Sequence, residues 1–393
     1  TPNIDRIANE GAIFQKAFVT NSICAPSRAV MLTGKHSFIN GKVDNIQDFD
    51  WDQDNFAKEL QKVGYQTALV GKIHLRGLPQ GFNYSAVLPG QGHYYNPDFI
   101  INGIQERIEG YVTSITTKIA LNWLSEKRDK TKPFLLLYHQ KAPHRNWKPE
   151  NKYLTLFDDK EFDPPANFFD DYSNRGTAAK TQEMLIAASE EQIKAAHGSG
   201  GQARWGHDFK MITDPYGKKT GFENELDRFN SGQKKDWLNA YTPKNDKMKK
   251  QNLSGKDLAL WKFNRYIKDY LRTIQSVDDG VGELLDYLDR EGLSENTIVV
   301  YTSDQGFYLG EHGWFDKRFM YEESLRTPLL IRYPKEIKPG IKISLMIQNL
   351  DFAPTFLDYA GITPGEDLQG ISFRNIVNQK ETKWRDAIYY TYY

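Results

Sequence analysis

The chain has one cysteine, Cys24, in 393 residues. It can form no disulfide within the chain, so cysteine usage assigns no redox compartment, and any sulfur chemistry has to happen at this one position. Excess charge is also missing, because 51 lysines and arginines balance 51 aspartates and glutamates. No whole-chain field draws the chain to nucleic acid or to an anionic membrane, and anion binding must be local. Apolar runs of about 20 residues, the length of a membrane span, are absent, and Thr1-Pro2-Asn3-Ile4-Asp5 is not a signal peptide. No internal repeat is present. The length suits one large α/β domain with an appendage, or two ordinary domains.

What is present gathers first around the cysteine. Cys24-Ala25-Pro26-Ser27-Arg28 continues as Ala29-Val30-Met31-Leu32-Thr33-Gly34. A proline two residues after Cys24 suits the first turn of a helix and Gly34 suits its end, which predicts a helix over 26–33. Its free N-terminal amides would lie beside Cys24, and Arg28 would project along the same face. Helix start, reactive side chain and guanidinium fork then form one anion site. For an isolated cysteine the plain alternative is a buried thiol packed at a helix start.

Along the chain, Asn3 to Glu10 reads as a helix, Ala12 to Val19 as a strand and Trp51 to Val63 as a helix ended by Gly64. Thr67-Ala68-Leu69-Val70 is a short buried strand followed by Gly71-Lys72-Ile73-His74. If that run stays extended, Lys72 and His74 point the same way. Tyr111 to Lys127 predicts an amphipathic helix, and Phe134 to Tyr138 a buried strand running into Lys141-Ala142-Pro143-His144-Arg145-Asn146-Trp147. His139 reads as a packing or hydrogen-bonding residue. Residues 153–254 change character and read as a rim insertion, with one helix over Thr177 to Ala195 and a solvated run Lys247 to Lys250. His197 and His207 have no partner at ligand spacing and receive no role. Lys256 to Arg290 is a long helix with one apolar stripe, and Ile298 to Tyr301 a strand opening into Ser303-Asp304-Gln305-Gly306 and then Gly310-Glu311-His312-Gly313-Trp314-Phe315-Asp316-Lys317-Arg318. Thr327 to Tyr333 is a further strand, Leu350 to Gly361 a helix, and Trp384 to Tyr393 reads as a strand just beginning. Lys72 with His74, His144, and Asp304 with Gln305 all follow separate strand ends. In an open parallel sheet such ends share one edge, outside which ligands bind.

The Cys24-x-Pro26-Ser27-Arg28 run with Leu32-Thr33-Gly34 resembles the signature of type I sulfatases, whose cysteine is oxidised to formylglycine. The Gly71-Lys72-x-His74 element, the segment bearing His144, and Asp304-x-Gly306 with Lys317 in the following loop are similar to that family too. The resemblance implies an α/β, alkaline-phosphatase-like sandwich with a large, mostly parallel central sheet and a smaller C-terminal subdomain. Residues 1–377 would form the catalytic domain and 378–393 the start of that subdomain. It implies Ca2+ rather than Mg2+, held by Asp304, Gln305 and the modified Cys24. Most family members carry Asn or His where Gln305 stands, but an amide oxygen remains a hard donor. Two further aspartates are expected from a strand upstream of Thr1, so the sequence reads as a fragment, inactive by itself, with any export signal of a periplasmic or secreted protein also upstream.

By the same resemblance, the aldehyde hydrate attacks sulfur, Arg28, Lys72 and Lys317 spread charge over the sulfate oxygens, His144 with Lys317 protonates the leaving sugar oxygen, and His74 takes the second hydroxyl's proton. The partners implied are a sulfated saccharide and a formylglycine-generating or anaerobic sulfatase-maturating enzyme. The wording around His144 and His312 looks most like bacterial polysaccharide and glycosaminoglycan sulfatases, including N-acetylglucosamine-6-sulfatases. Arg145, Trp147, His312 and Arg318 are the candidate sugar contacts. Alternatives are a phosphonate monoester or phosphodiester hydrolase, a non-catalytic glycan-binding homologue, and a cysteine-histidine acyl hydrolase.

Overall fold

A computed structural model describes residues 1–189, 203–380 and 383–392. Two units form: 1–141, 277–306 and 317–393 make the first, 142–276 and 307–316 the second.

In the first unit, helix α1 (Pro2–Asn9) leads into strand β1 (Ala12–Phe18) and helix α2 (Cys24–Thr33). Helix α3 (Phe56–Lys62) is shorter than its apolar spacing suggests, because Asn55 caps it by accepting the Ala57 and Lys58 amides. Strands β2 (Gln66–Gly71), β3 (Tyr84–Val87), β4 (Asp98–Ile101), β5 (Ile104–Arg107) and β6 (Phe134–His139) follow, with helix α4 (Val112–Asn122) before β6. These strands form one ladder in the order β5-β4-β3-β2-β6. Strands β7 (Val299–Thr302), β8 (Leu329–Arg332) and β9 (Ile341–Gln348) join β1 in a second, ordered β9-β1-β8-β7.

The fold is thus α/β, but one large, mostly parallel sheet is not what the described residues make. β2 runs parallel to β3 and β6, and β1 to β9, whereas β3-β4, β4-β5, β1-β8 and β8-β7 are antiparallel. The reason at β4-β5 is local: Asn102 and Gly103 both take positive φ, 48° and 89°, the type I′ turn that closes a two-residue hairpin. β6 and β7 end their ladders, and both are half-buried throughout. Two apolar clusters hold this unit, one under β1, β8 and β9, the other where α2, α3 and β2 meet helix α5 (Phe352–Tyr359).

The tail forms no strand among its described residues, 383–392. Individual bonds pin it instead: Trp384 Nε1 donates to Met346 O at 2.6 Å, and Arg385 forks onto the buried Asp351 carboxylate at 2.6 and 2.7 Å.

In the second unit, the helix expected over Thr177 to Ala195 stops at Thr181, and its last part lies outside the described residues. Gln182 turns extended, and Ile186 donates its amide to Gly313 O at 2.9 Å, so this stretch pairs with backbone rather than coiling. A helix over Ser231–Gln251 went unpredicted, partly because Pro243 lies inside it. Its start carries a capping box, Asn230 with Gln233, and Trp237, Tyr241 and Met248 face inward. Lys247 and Lys250 are exposed on it, as expected. The long helix, Gly255–Arg290, belongs to this unit up to Ser276 and to the first unit from Val277 on.

Candidate active site

The first unit brings seven of the expected residues together. α2 starts at Cys24 itself and ends at Gly34, which takes the left-handed conformation with φ 64°. The Ala25 amide donates to Asn45 Oδ1 at 3.1 Å, so that helix-start donor is already partnered. Cys24 is 1% exposed, and its sulfur lies 3.9 Å from Lys72 Nζ and 4.0 Å from Gln305 Nε2. One turn along, Arg28 donates from Nε to Asp304 Oδ2 at 2.8 Å and from Nη1 to the Lys72 carbonyl, with His139 Nδ1 3.4 Å away. Cysteine, arginine, lysine and the Asp304-Gln305 pair therefore share one buried spot.

Gly71 explains how Lys72 arrives there. Its φ is 103°, and a Cβ would fall 1.9 Å from His139 O, the carbonyl that accepts the Lys72 amide at 2.8 Å. The chain turns at this contact, and His74 has φ 58°, so Lys72 to His74 is not the extended run expected. Asp304 and Gln305 leave the end of β7, and Gly306 packs so tightly that a Cβ would lie 2.2 Å from Glu323 O. Lys317 is buried, and its charge acts on Lys72, His74 and Asp304.

The electrostatics follow from cations crowded out of water. Burial pushes the Lys72 amine down to about 8, opposed by Cys24 and reinforced by Arg28. Burial, then Lys72 and Arg28, push His74 down to about 3, and burial with Arg28 does the same to His139. Burial alone would raise Asp304, but Arg28, Lys72 and Lys317 outweigh it and hold the carboxylate below its ordinary range. Both histidines are neutral at pH 7 and Asp304 is ionised. His139 is the residue whose place at the site was missed; its position at the end of a strand parallel to β2 was the available clue.

The second unit holds four of the other five. His144 is half-buried, its Nδ1 2.6 Å from Arg145 O. Arg145 forks onto Asp208 at 2.8 and 2.7 Å and lies over the Phe315 ring, while His312 Nδ1 is 2.7 Å from Asp170. Both are paired with carboxylates of their own unit. Trp147, a candidate sugar contact by its sequence, is 1% exposed and packs edge-on to Tyr266 and Phe315, so it is core. His207 pairs with Asp208 at 3.0 Å, and His197 lies outside the described residues. Arg318, in the first unit, is half-buried.

Cations gathered around one nucleophile position, beside a carboxylate and an amide oxygen at the ends of α/β strands, define a hydrolase site for esters of tetrahedral oxyanions. The sulfatase family model matches residues 1–362, and the chain belongs to that family, with its alkaline-phosphatase-like fold. It is 47% identical to an N-acetylglucosamine-6-O-sulfatase of Bacteroides thetaiotaomicron, over all of this chain and 70% of that one. A solved structure described as a complex with its substrate D-glucosamine-2-N,6-O-disulfate is 46% identical, with a TM-score of 0.92 over all of this chain and 78% of that one. A phosphonate monoester hydrolase of Agrobacterium radiobacter shares the fold alone, at 19% identity and a TM-score of 0.66 over 98% of this chain and 74% of that one.

The family implies formylglycine and calcium in general. Gln305 Oε1 is buried and meets no hydrogen-bond donor, and it neighbours an ionised carboxylate. A hard cation suits such oxygens. Two donors do not fill a shell of about 6 to 8 oxygens, and among the described residues no group of three or more His, Cys, Asp or Glu is placed to hold a metal.

Proposed function

We propose that the complete protein to which this chain belongs removes the 6-O-sulfate of N-acetylglucosamine or glucosamine units in a sulfated carbohydrate. The observation that carries the reading is the Cys24 sulfur facing Lys72 and Gln305, with Arg28 paired to Asp304 one turn away. A relative named N-acetylglucosamine-6-O-sulfatase and a solved structure in complex with its substrate D-glucosamine-2-N,6-O-disulfate, each nearly half identical, support the substrate.

The residues divide the work by charge and protonation. Lys72 and Lys317 bring positive charge to the sulfate oxygens, with Arg28 completing the cluster while holding Asp304 in place. Asp304 and Gln305 would hold calcium, which when bound supplies charge that stabilises the developing oxyanion. A formylglycine hydrate at position 24 supplies the oxygen nucleophile that a thiol cannot provide. His74 would take the second hydroxyl's proton; it is neutral at pH 7 because burial and the nearby cations oppose its protonation, and its Nδ1 is buried without a partner. Lys317 gives its proton to the leaving sugar oxygen. Conversion of Cys24 calls for a maturating enzyme, and a periplasmic or secreted setting suits a polysaccharide substrate. No helix among the described residues is long and apolar enough to cross a membrane.

Sulfate release from N-acetylglucosamine-6-sulfate, measured by ion chromatography beside 2-O- and 4-O-sulfated sugars and an aryl phosphonate monoester, tests this. The 6-O-sulfate should give the highest kcat/KM. A phosphonate turned over faster would reassign the chain to the phosphonate hydrolases that share its fold.

A further inference from the structure

Lys317 sits in strained backbone. Asp316 and Arg318 flank it with φ of 77° and 127°, values L side chains rarely adopt. Such a conformation persists only where its surroundings hold it. Two hydroxyls hold the Arg318 residue from either end. Ser324 Oγ accepts the Arg318 amide at 2.9 Å, and Tyr390 OH donates to the Arg318 carbonyl at 2.5 Å.

The same two residues reach the loop that delivers Cys24. Ser22 Oγ donates to the Ser324 carbonyl at 2.8 Å, and the Ser22 amide donates to Tyr390 OH at 3.4 Å. That Ser324 carbonyl also accepts the Gly306 amide at 2.9 Å, one residue after Gln305. Ser324 is fully buried. Tyr390 is fixed by its neighbours: Thr391 donates its amide to Thr20 O at 2.9 Å, and Gln348 Nε2 donates to Tyr389 O at 2.9 Å. Three loops, carrying position 24, the Asp304-Gln305 pair and Lys317, thus meet at one serine, and a tyrosine far along the chain bolts two of them together.

We infer that Ser324 and Tyr390 are positioning residues that hold Arg318 in its strained form and so set Lys317 against position 24. The inference rests on the proposed role of Lys317 at the leaving oxygen. Its test uses the complete, converted protein with Ser324→Ala and, separately, Tyr390→Phe, which keeps the ring. Each variant should lose about 10-fold or more in kcat on the 6-O-sulfated sugar, as misplaced catalytic groups do, with KM changed less than about twofold. The loss should be smaller on 4-nitrophenyl sulfate, whose phenolate leaves without a proton. Hydrogen exchange read by mass spectrometry should quicken over 317–321 while the peptides of β2 and β6 keep wild-type rates.

Unchanged exchange over 317–321, or equal losses on both substrates, overturns the inference. If one variant fails to fold, the other decides, because the two hydroxyls act on opposite ends of Arg318. Should the wild-type protein release no sulfate, the sulfatase reading fails while the exchange measurement still decides whether these hydroxyls hold the loop.

Discussion

Replacing Lys72 with methionine should make the protein more stable and much less active. The side chain is 2% exposed and its amine titrates at about 8 rather than 10.5, with burial the main cause. The fall of about 2.5, at about 1.36 kcal/mol for each, means that the ammonium destabilises the folded state by about 3 kcal/mol at neutral pH. The sign follows from proton counts. Below pH 8 folded and unfolded chains both hold the proton and the penalty is complete. Between pH 8 and about 10.5 only the folded chain has lost it, so the penalty shrinks as pH rises. Methionine keeps the length and removes the charge, and apolar replacement of a buried charge is often neutral or stabilising. In unconverted protein treated with chelator, the urea midpoint of Lys72→Met at pH 7 should therefore exceed that of wild type, by an amount equivalent to up to about 3 kcal/mol, and the gap should close toward pH 10. Sulfate release by the converted variant should fall by about 10²–10³, the usual loss for one preorganised electrostatic group. A variant less stable than wild type at pH 7, or a gap that ignores pH, would refute the view of Lys72 as a cation held at a cost for catalysis.

Gly71→Ala places a methyl where His139 O already sits and strains a φ of 103°, so a loss of about 3 kcal/mol or more is expected in thermal unfolding; a change under about 1 kcal/mol contradicts the close approach. Arg28→Met strands the buried Asp304 carboxylate and should cost about 3–5 kcal/mol in metal-free protein, with Asp304→Asn in that background recovering part. Because Asp304 is held below its ordinary range, that cost should be present above about pH 4 and fade at lower pH; a loss that persists in acid would count against the pairing. The imidazole NMR signals of His74 and His139 should not titrate between pH 5 and 8, and a midpoint near 6.5 for either would contradict its burial among cations. Trp147→Ala should lower stability by about 3–5 kcal/mol and leave KM for the saccharide unchanged in the protein that folds; a raised KM would restore Trp147 as a sugar contact.

The site was legible where a local pattern sufficed. Cys24 with Arg28, the lysine after a glycine that ends a strand, and Asp304-Gln305 after another all stand where their motifs placed them. What escaped depends on contacts distant in sequence. Nothing near Gly71 announces that His139 O will press against it, so an extended Lys72–His74 was a fair reading and a mistaken one. Trp147 looks like a sugar contact beside His144 until the long helix brings Tyr266 onto it. The helix over Ser231–Gln251 was hidden by an internal proline and a polar composition, although its capping box was readable. β9 alternates Ile341, Ile343 and Ile347 at period two and could have been found, whereas β3 to β5, at four residues each, are defined by their neighbours more than by their own residues.

The side chain at position 24 is where the account stands or falls. Samples of the complete protein with graded conversion of Cys24, quantified from the mass of the peptide that contains it, should release sulfate from N-acetylglucosamine-6-sulfate in proportion to the converted fraction, with no activity at zero conversion and none in Cys24→Ala. Full activity in unconverted protein, or activity that survives Cys24→Ala, would contradict it.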